Sequence, residues 1–355
     1  MILSPAPPRS FASDNASGVH PTVMEALREA NTGHALAYGD DRWTQELQGH
    51  VRDLFGAQAT GFPVWGGTGA NVMGLASMLA PAQAVICTNW AHIHVDETGA
   101  PERVLGAKLI DLPCPDGKLV PAQLDEQGLE LGQMHRTQPA VVSLTQSTEL
   151  GTTYSIAEIA ALCDTAHRLG MSVHMDGARL ANAVVAAGGS AAELRAMTVD
   201  AGVDVLSFGA TKNGAMYGEL VVYLNLRFAV NAPFIRKMVT QLPSKMRFVS
   251  AQINALIRDD LWLVLAQHSN DLARYLYDVT VDIPGVHYET GPVVNSVFPR
   301  LPAQAIAPLR DWCFFWDWDT PTHRVRWMTS WDTTREDIDM FAAGVRELLL
   351  PLAPF

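Results

Sequence analysis

The sequence predicts an α/β protein: one large three-layer domain on a mainly parallel seven-stranded sheet, followed by a smaller C-terminal α+β domain. Three observations lead there. Seven short apolar runs recur between about residues 60 and 225, helical patterns lie between them, and after about residue 240 the pattern gives way to a long helical stretch. Continuous apolar strands that alternate with amphipathic helices build sheets buried on both faces. The chain has 355 residues, 48% hydrophobic and 17% charged, which is enough for two cores. The expected divisions are an N-terminal segment at 1–22, a large domain at 23–250 and a small domain at 251–355.

In chain order, "TVMEALREAN" is the first long helix, opened by Pro21, whose missing N–H is not needed at a helix start. "TQELQGHVRDLFG" is the second, with Thr44 as the expected cap and Leu47, Val51, Leu54 and Phe55 at helical spacing. The strands are expected in "GFPVWGG", "AVICTN", "AKLIDLP", "PAVVSLTQ", "MSVHMDG", "DVLSFGA" and "ELVVYLN". The helix "IAEIAALCDTAHRLG" ends on Gly170. "SAQINALIRDDLWLVLAQHSNDLARYLYDV" reads as one long helical stretch that can bend. An aromatic-rich strand around "HRVRWMTSW" and a last helix, "REDIDMFAAGVRELL", belong to the small domain.

A net charge of −12 argues against non-specific nucleic-acid binding and against a polybasic membrane surface. The four cysteines form no C-x-x-C pair and read as reduced core thiols. With no run of 18 apolar residues and no charged leader before an apolar core, a cytoplasmic location is expected.

In open α/β sheets, ligands bind beyond the carboxyl ends of the strands. Five polar interruptions fall there: "GGTGAN", "TNWAHIHVDE", "TQSTELG", "HMDGAR" and "GATKNG". "GGTGAN" runs into an apolar helix, so Gly67, Thr68 and the helix amides make either a plain tight turn or an anion site. It is neither a dinucleotide fingerprint, because Val72 stands at the third glycine position, nor a P-loop. Asp176 ends an apolar strand, where a carboxylate is either a helix cap or is answered by a cation. Lys212 is one of only five lysines, set among small residues one helix-plus-strand repeat after Asp176. "HIHVDE" would place His92, His94 and Asp96 on one strand face, a spacing that a metal could use, although no metal is expected.

An anion-binding turn, an acid at a strand end and a crowded lysine together meet the needs of pyridoxal phosphate. The helix N-terminus takes the phosphate, the acid pairs with the protonated ring nitrogen, and the lysine amine forms the imine link.

The sequence also resembles the L-threonine aldolases of the fold-type-I pyridoxal-phosphate enzymes, in their low-specificity threonine/phenylserine branch. The segments that carry the resemblance are "FASDNASGVHP", "AYGDD", "GGTGAN", "AHIHVDETGAPE", "HMDGARLANA", "LSFGATKNG" and "SKMRFVSAQI". It implies Lys212 as the cofactor-bearing lysine, Asp176 on the pyridine nitrogen, His92 stacked on the ring and Gly67 and Thr68 on the phosphate. Arg247 would reach that phosphate from a neighbouring subunit, and Tyr38 would approach the site across the same interface, in a dimer-based homotetramer. Arg179 would hold the substrate carboxylate, with Ser13 and Arg326 completing that site. Two departures concern the β-substituent pocket: Thr148 and Glu149 stand where a better-known branch carries a histidine, and Asp96 stands where an aromatic is common.

The implied activity is reversible cleavage of L-β-hydroxy-α-amino acids (threonine, allo-threonine and phenylserine types) to glycine and an aldehyde. His92 is the first candidate base and Glu149 the second. The alternatives are a β-eliminating lyase or aminotransferase on a related amino acid, serine hydroxymethyl transfer, and a binding protein on the same scaffold.

Overall fold

All seven apolar runs become strands of one sheet in the computed structural model, which describes residues 4–350. These are β1 (Thr60–Val64), β2 (Gln83–Thr88), β3 (Lys108–Leu112), β4 (Gln138–Thr145), β5 (Ser172–Gly177), β6 (Val205–Phe208) and β7 (Glu219–Tyr223). Their order is β1-β7-β6-β5-β4-β2-β3, and only β7 runs antiparallel to its neighbours. β5 is buried along its whole length, as a central strand covered on both faces must be. The register sets Asp176 beside Ser207 and Gly177 beside Phe208, so the ends of β5 and β6 open at the same edge.

The helices follow the sequence cues, with one change of cap. α1 (Pro21–Ala30) begins on its proline, with the His20 imidazole accepting from the Thr22 amide. In α2 (Arg42–Phe55) the cap is Asp41, not Thr44: Asp41 Oδ1 accepts from the Thr44 amide at 2.9 Å, and the Thr44 hydroxyl donates to Asp41 Oδ2. A carboxylate three residues before the expected cap competes better for those amides. α3 (Gly67–Met78) follows β1. The segment expected as a strand through His92 and His94 is instead a single turn, α4 (His92–Val95), because its amides bond back to Ala91 and His92. His94 then lies 3.7 Å from Asp111, and Asp96 is exposed.

The short helices α5 (Ala100–Leu105) and α6 (Pro121–Gly128) lead to β4, and α7 (Ile156–Arg168) starts on a Ser155–Glu158 capping box. The chain leaves α7 through Gly170 at φ +77, a left-handed turn that glycine adopts without strain. α8 (Leu180–Ala187), α9 (Ala191–Met197), α10 (Ala232–Met238) and α11 (Arg247–Ile257) complete the layers. The long helical stretch is broken: Asp259 and Asp260 have positive φ, and α12 (Leu261–Thr280) restarts beyond them.

The chain divides into two units, Val19–Trp262 and Met1–Gly18 with Leu263–Phe355. The larger unit buries Met73, Leu75, Val85, Val141, Val205 and Val221 about the sheet. In the smaller, α13 (Ala303–Trp312) and α14 (Arg335–Leu349) accompany a sheet of β8 (Ser296–Val297), β9 (Trp316–Asp319) and β10 (Arg324–Met328), in the order β8-β10-β9. Its core gathers Phe11, Leu276, Phe315, Trp327 and Phe341.

Candidate active site

At the carboxyl edge of β4, β5 and β6 lies a small cavity of about 40 Å³ that opens to solvent, and Asp176 and Lys212 both line it. Asp176 is a fully buried strand-end carboxylate. Its Oδ1 accepts from the Ala178 amide at 3.0 Å, and its Oδ2 accepts from Asn71 Nδ2 at 2.8 Å. Burial pushes its carboxyl up, but the Lys212 ammonium, these two amides and His92 together outweigh that and hold it below the ordinary range. Asp176 is therefore both a turn cap and an ionised acid in the cavity wall. Beneath it on the same strand face, His174 is held between the hydroxyls of Ser143 (2.9 Å) and Ser207 (3.1 Å). Burial drives His174 down to about 4, which leaves it a neutral spacer.

Lys212 sits on a single 3-10 turn, Thr211–Asn213, just after β6. Several contacts fix this turn. Asn213 donates to the Trp262 carbonyl at 2.8 Å, the Gly214 carbonyl accepts from the His20 amide at 2.9 Å, and the Ala210 amide donates to Glu219 Oε2. Glu219 is buried behind the turn, and burial raises its carboxyl to about 7.

Two further acids, Glu97 and Glu149, line the cavity. His92 Nδ1 lies 2.8 Å from Glu97 Oε1, and the His92 amide donates to Glu149 Oε1 at 2.8 Å. The hydrogen bond to Glu97 raises the His92 imidazole against an opposing burial effect. Burial, with the Asp176 charge adding to it, pushes Glu149 up to about 7, and its Oε2 is buried with no hydrogen-bond partner among the described residues.

The cavity thus gathers Gly67, His92, Glu149, Asp176, Arg179 and Lys212. Thr68 is the next residue on α3. Tyr38 and Arg247 do not line their own chain's cavity. Tyr38 is half exposed under Lys237, and Arg247 donates to the Gly33 carbonyl at 3.2 Å. Ser13 and Arg326 belong to the smaller unit, where Arg326 donates to the Ala12 carbonyl at 3.1 Å. Sequence reasoning missed Asn71, Glu97 and Ser147, which also line the cavity. The available signal was spacing: Asn71 stands one helical turn after Gly67, and Glu97 closes the turn that begins at His92.

The lining fits pyridoxal phosphate. Among the described residues nothing lies within 4 Å of where a Cβ would stand on Gly66 or Gly67, which leaves room for a phosphate at the start of α3. Ser147 Oγ is a buried polar atom in the wall with no partner among the described residues.

Residues 10–301 match the beta-eliminating lyase family. The chain is 40% identical to the low specificity L-threonine aldolase of Pseudomonas sp. over 96% of its own length and 98% of the relative's. It is 41% identical to that of Pseudomonas aeruginosa, over 95% and 97%. The Leishmania major threonine aldolase superposes with a TM-score of 0.89 at 29% identity, covering 96% of this chain and 100% of the other. The fold and site define a pyridoxal-phosphate-dependent lyase. The chain belongs to the beta-eliminating lyase family, among its low specificity L-threonine aldolases.

Proposed function

We propose that this cavity cleaves L-β-hydroxy-α-amino acids of the threonine, allo-threonine and phenylserine types between Cα and Cβ, releasing glycine and an aldehyde, and joins them in reverse. The observation that carries the reading is the shared cavity, which Lys212, Asp176, His92 and Glu149 all line. When bound, pyridoxal phosphate supplies the sink for the electron pair left on Cα. Lys212 would hold the cofactor through its amine, and Asp176 would answer the charge of its protonated ring nitrogen. Gly67, Thr68 and the first amides of α3 would take the phosphate. Arg179 orients the substrate carboxylate with a planar fork that lysine lacks.

His92, through Nε2 and directly or by way of a water, takes the β-hydroxyl proton, because its Nδ1 is committed to Glu97. A second reading gives that role to Glu149, favoured by a buried Oε2 with no hydrogen-bond partner among the described residues and by a carboxyl that burial raises to about 7. Feeding the holoenzyme L-threonine, L-allo-threonine and L-phenylserine should yield glycine and the matching aldehyde. Ammonia and a keto acid would instead establish elimination.

The working assembly is a dimer-based homotetramer in which Tyr38 and Arg247 serve a neighbour's site. Support comes from the exposed apolar side chains of Phe234 (74%) and Met238 (71%) on α10 and from the placement of Arg247 outside its own cavity. Light scattering on the eluted protein should give four chains, and a monomer would overturn this assembly. A cytoplasmic location accords with four buried free cysteines and, among the described residues, no helix long and apolar enough to cross a membrane.

A further inference from the structure

We propose that Glu97 is a positioning residue for the cleavage: one buried carboxylate fixes the His92 imidazole directly and the Asp176 carboxylate through Asn71. The Glu97 side chain is fully shielded from solvent, whereas the His92 side chain is 39% exposed. Glu97 Oε1 lies 2.8 Å from His92 Nδ1 and accepts from Asn71 Nδ2 at 2.9 Å, and the same Nδ2 donates to Asp176 Oδ2 at 2.8 Å. An amide nitrogen has two hydrogens, one for each acid. Flipping Asn71 would set its carbonyl oxygen against two carboxylates, so the pair of acids dictates the amide orientation. The acceptor at Nδ1 dictates the tautomer as well: neutral His92 carries its proton on Nδ1 and keeps the Nε2 lone pair for proton transfer.

Charges face His92 from every element around it. Glu97 follows its own turn, Glu149 follows β4, Asp176 ends β5 and Lys212 follows β6. Glu97 Oε1 is within hydrogen-bond distance of the imidazole ring, whereas the Glu149 bond goes to the backbone amide. Asp176 also favours the imidazolium, and Lys212 opposes it. A role confined to holding the short turn together would leave the imidazole titration alone, which separates the two accounts.

The test is histidine C2 hydrogen–deuterium exchange, read by mass spectrometry on the full-length holoenzyme across pH, beside the pH profile of kcat/KM. In the native protein the His92 midpoint is expected above its ordinary 6.5. In Glu97→Gln that midpoint should fall, and the acid limb of the profile should move to lower pH with it. The cofactor should dissociate more readily, and kcat should drop by about 10- to 100-fold, short of the loss for removing a proton-transfer group itself. Glu97→Asp, which keeps the charge, should restore part of the shift.

An unchanged His92 midpoint in Glu97→Gln would overturn the proposal. If that variant does not fold, a native midpoint at or below 6.5 would overturn it equally. The pH-profile arm rests on the reading of His92 as the base. A midpoint that falls while the limb stays put would keep Glu97 in place and remove His92 from proton transfer.

Discussion

The backbone of Gly209 lies directly against that of Ala178. The Gly209 amide donates to the Gly177 carbonyl at 3.1 Å, and a methyl group on Gly209 would stand 2.4 Å from the Ala178 carbonyl oxygen. The segment with Asp176 and Arg179 and the segment with Lys212 therefore cross main chain to main chain. The small residues before Lys212 exist for this crossing.

Gly209→Ala is accordingly expected to be among the most damaging single methyl additions in the chain. The obstacle is backbone, which cannot rotate away, and overpacking of this kind costs about 1–3 kcal/mol or more. Chemical denaturation should show that loss together with weakened cofactor retention. Gly49→Ala is the control. It lies inside α2 with nothing within 4 Å of its added methyl and should be neutral or stabilising by up to about 1 kcal/mol. Equal effects at the two positions would mean that the crossing is not tight.

Asn71→Ala removes the amide between Asp176 and Glu97. Asp176 loses one of the contacts that keep it ionised, so its carboxyl should rise. A hydrogen bond to a charged group contributes about 1.5–3 kcal/mol, which corresponds to cofactor binding weaker by about 10- to 100-fold. Equilibrium titration of the apoprotein with pyridoxal phosphate reads this directly, and native affinity in the variant would remove Asn71 from the site.

The catalytic edge was legible because each of its residues interrupts an apolar strand run: "HMDGAR" and "GATKNG" announce strand ends, and the sheet must bring parallel neighbours together. The cap at Asp41 and the helical turn at His92 were not legible, since both depend on which nearby acceptor wins a few backbone amides. Glu97 escaped for a related reason. A glutamate in a polar loop reads as solvated, and its burial is decided by α3, which supplies Asn71 from a distance of 26 residues. Tyr38 and Arg247 carry no cue within one chain, because nothing in their own cavity calls for them.

The carboxylate-holding role proposed for Arg179 predicts separate effects on substrate handling and cofactor binding. Arg179→Ala should raise KM for L-threonine by about 100-fold or more, while the dissociation constant of pyridoxal phosphate changes little. Arg179→Lys should recover little, because an ammonium cannot fork onto a carboxylate. Parallel losses of substrate and cofactor affinity would place Arg179 on the phosphate instead.

Glu149→Gln decides between the two candidate bases. Glu149 carries its proton below about 7 and loses it above. If it is the base, activity in the native enzyme climbs as pH rises through about 7. The variant then loses that limb along with about 100- to 10,000-fold in kcat. If His92 is the base, Glu149→Gln keeps a sigmoidal acid limb and most of its rate. The pH profile of kcat with L-threonine distinguishes the outcomes without any change in cofactor content.

Glu219 gives the converse case, an acid whose burial tells on stability. Its carboxyl rises from an ordinary 4.5 to about 7 in the folded chain, chiefly through burial, although its contacts with Ala210, Thr211 and Lys212 pull the other way. Below about 4.5 both folded and unfolded chains hold the proton, and the contribution of this group to stability is fully present. Between about 4.5 and 7 the unfolded chain releases it while the folded chain retains it, so that contribution is lost progressively as pH rises through the folded value. Glu219→Gln keeps an oxygen for the Ala210 amide and has nothing to ionise. Urea denaturation should therefore find the variant close to the native protein at pH 5 and more stable than it at pH 8. A difference that stays flat between those pH values would mean that Glu219 is ionised throughout and paired with the Lys212 ammonium, which would make the acid behind the lysine turn a permanent counter-charge.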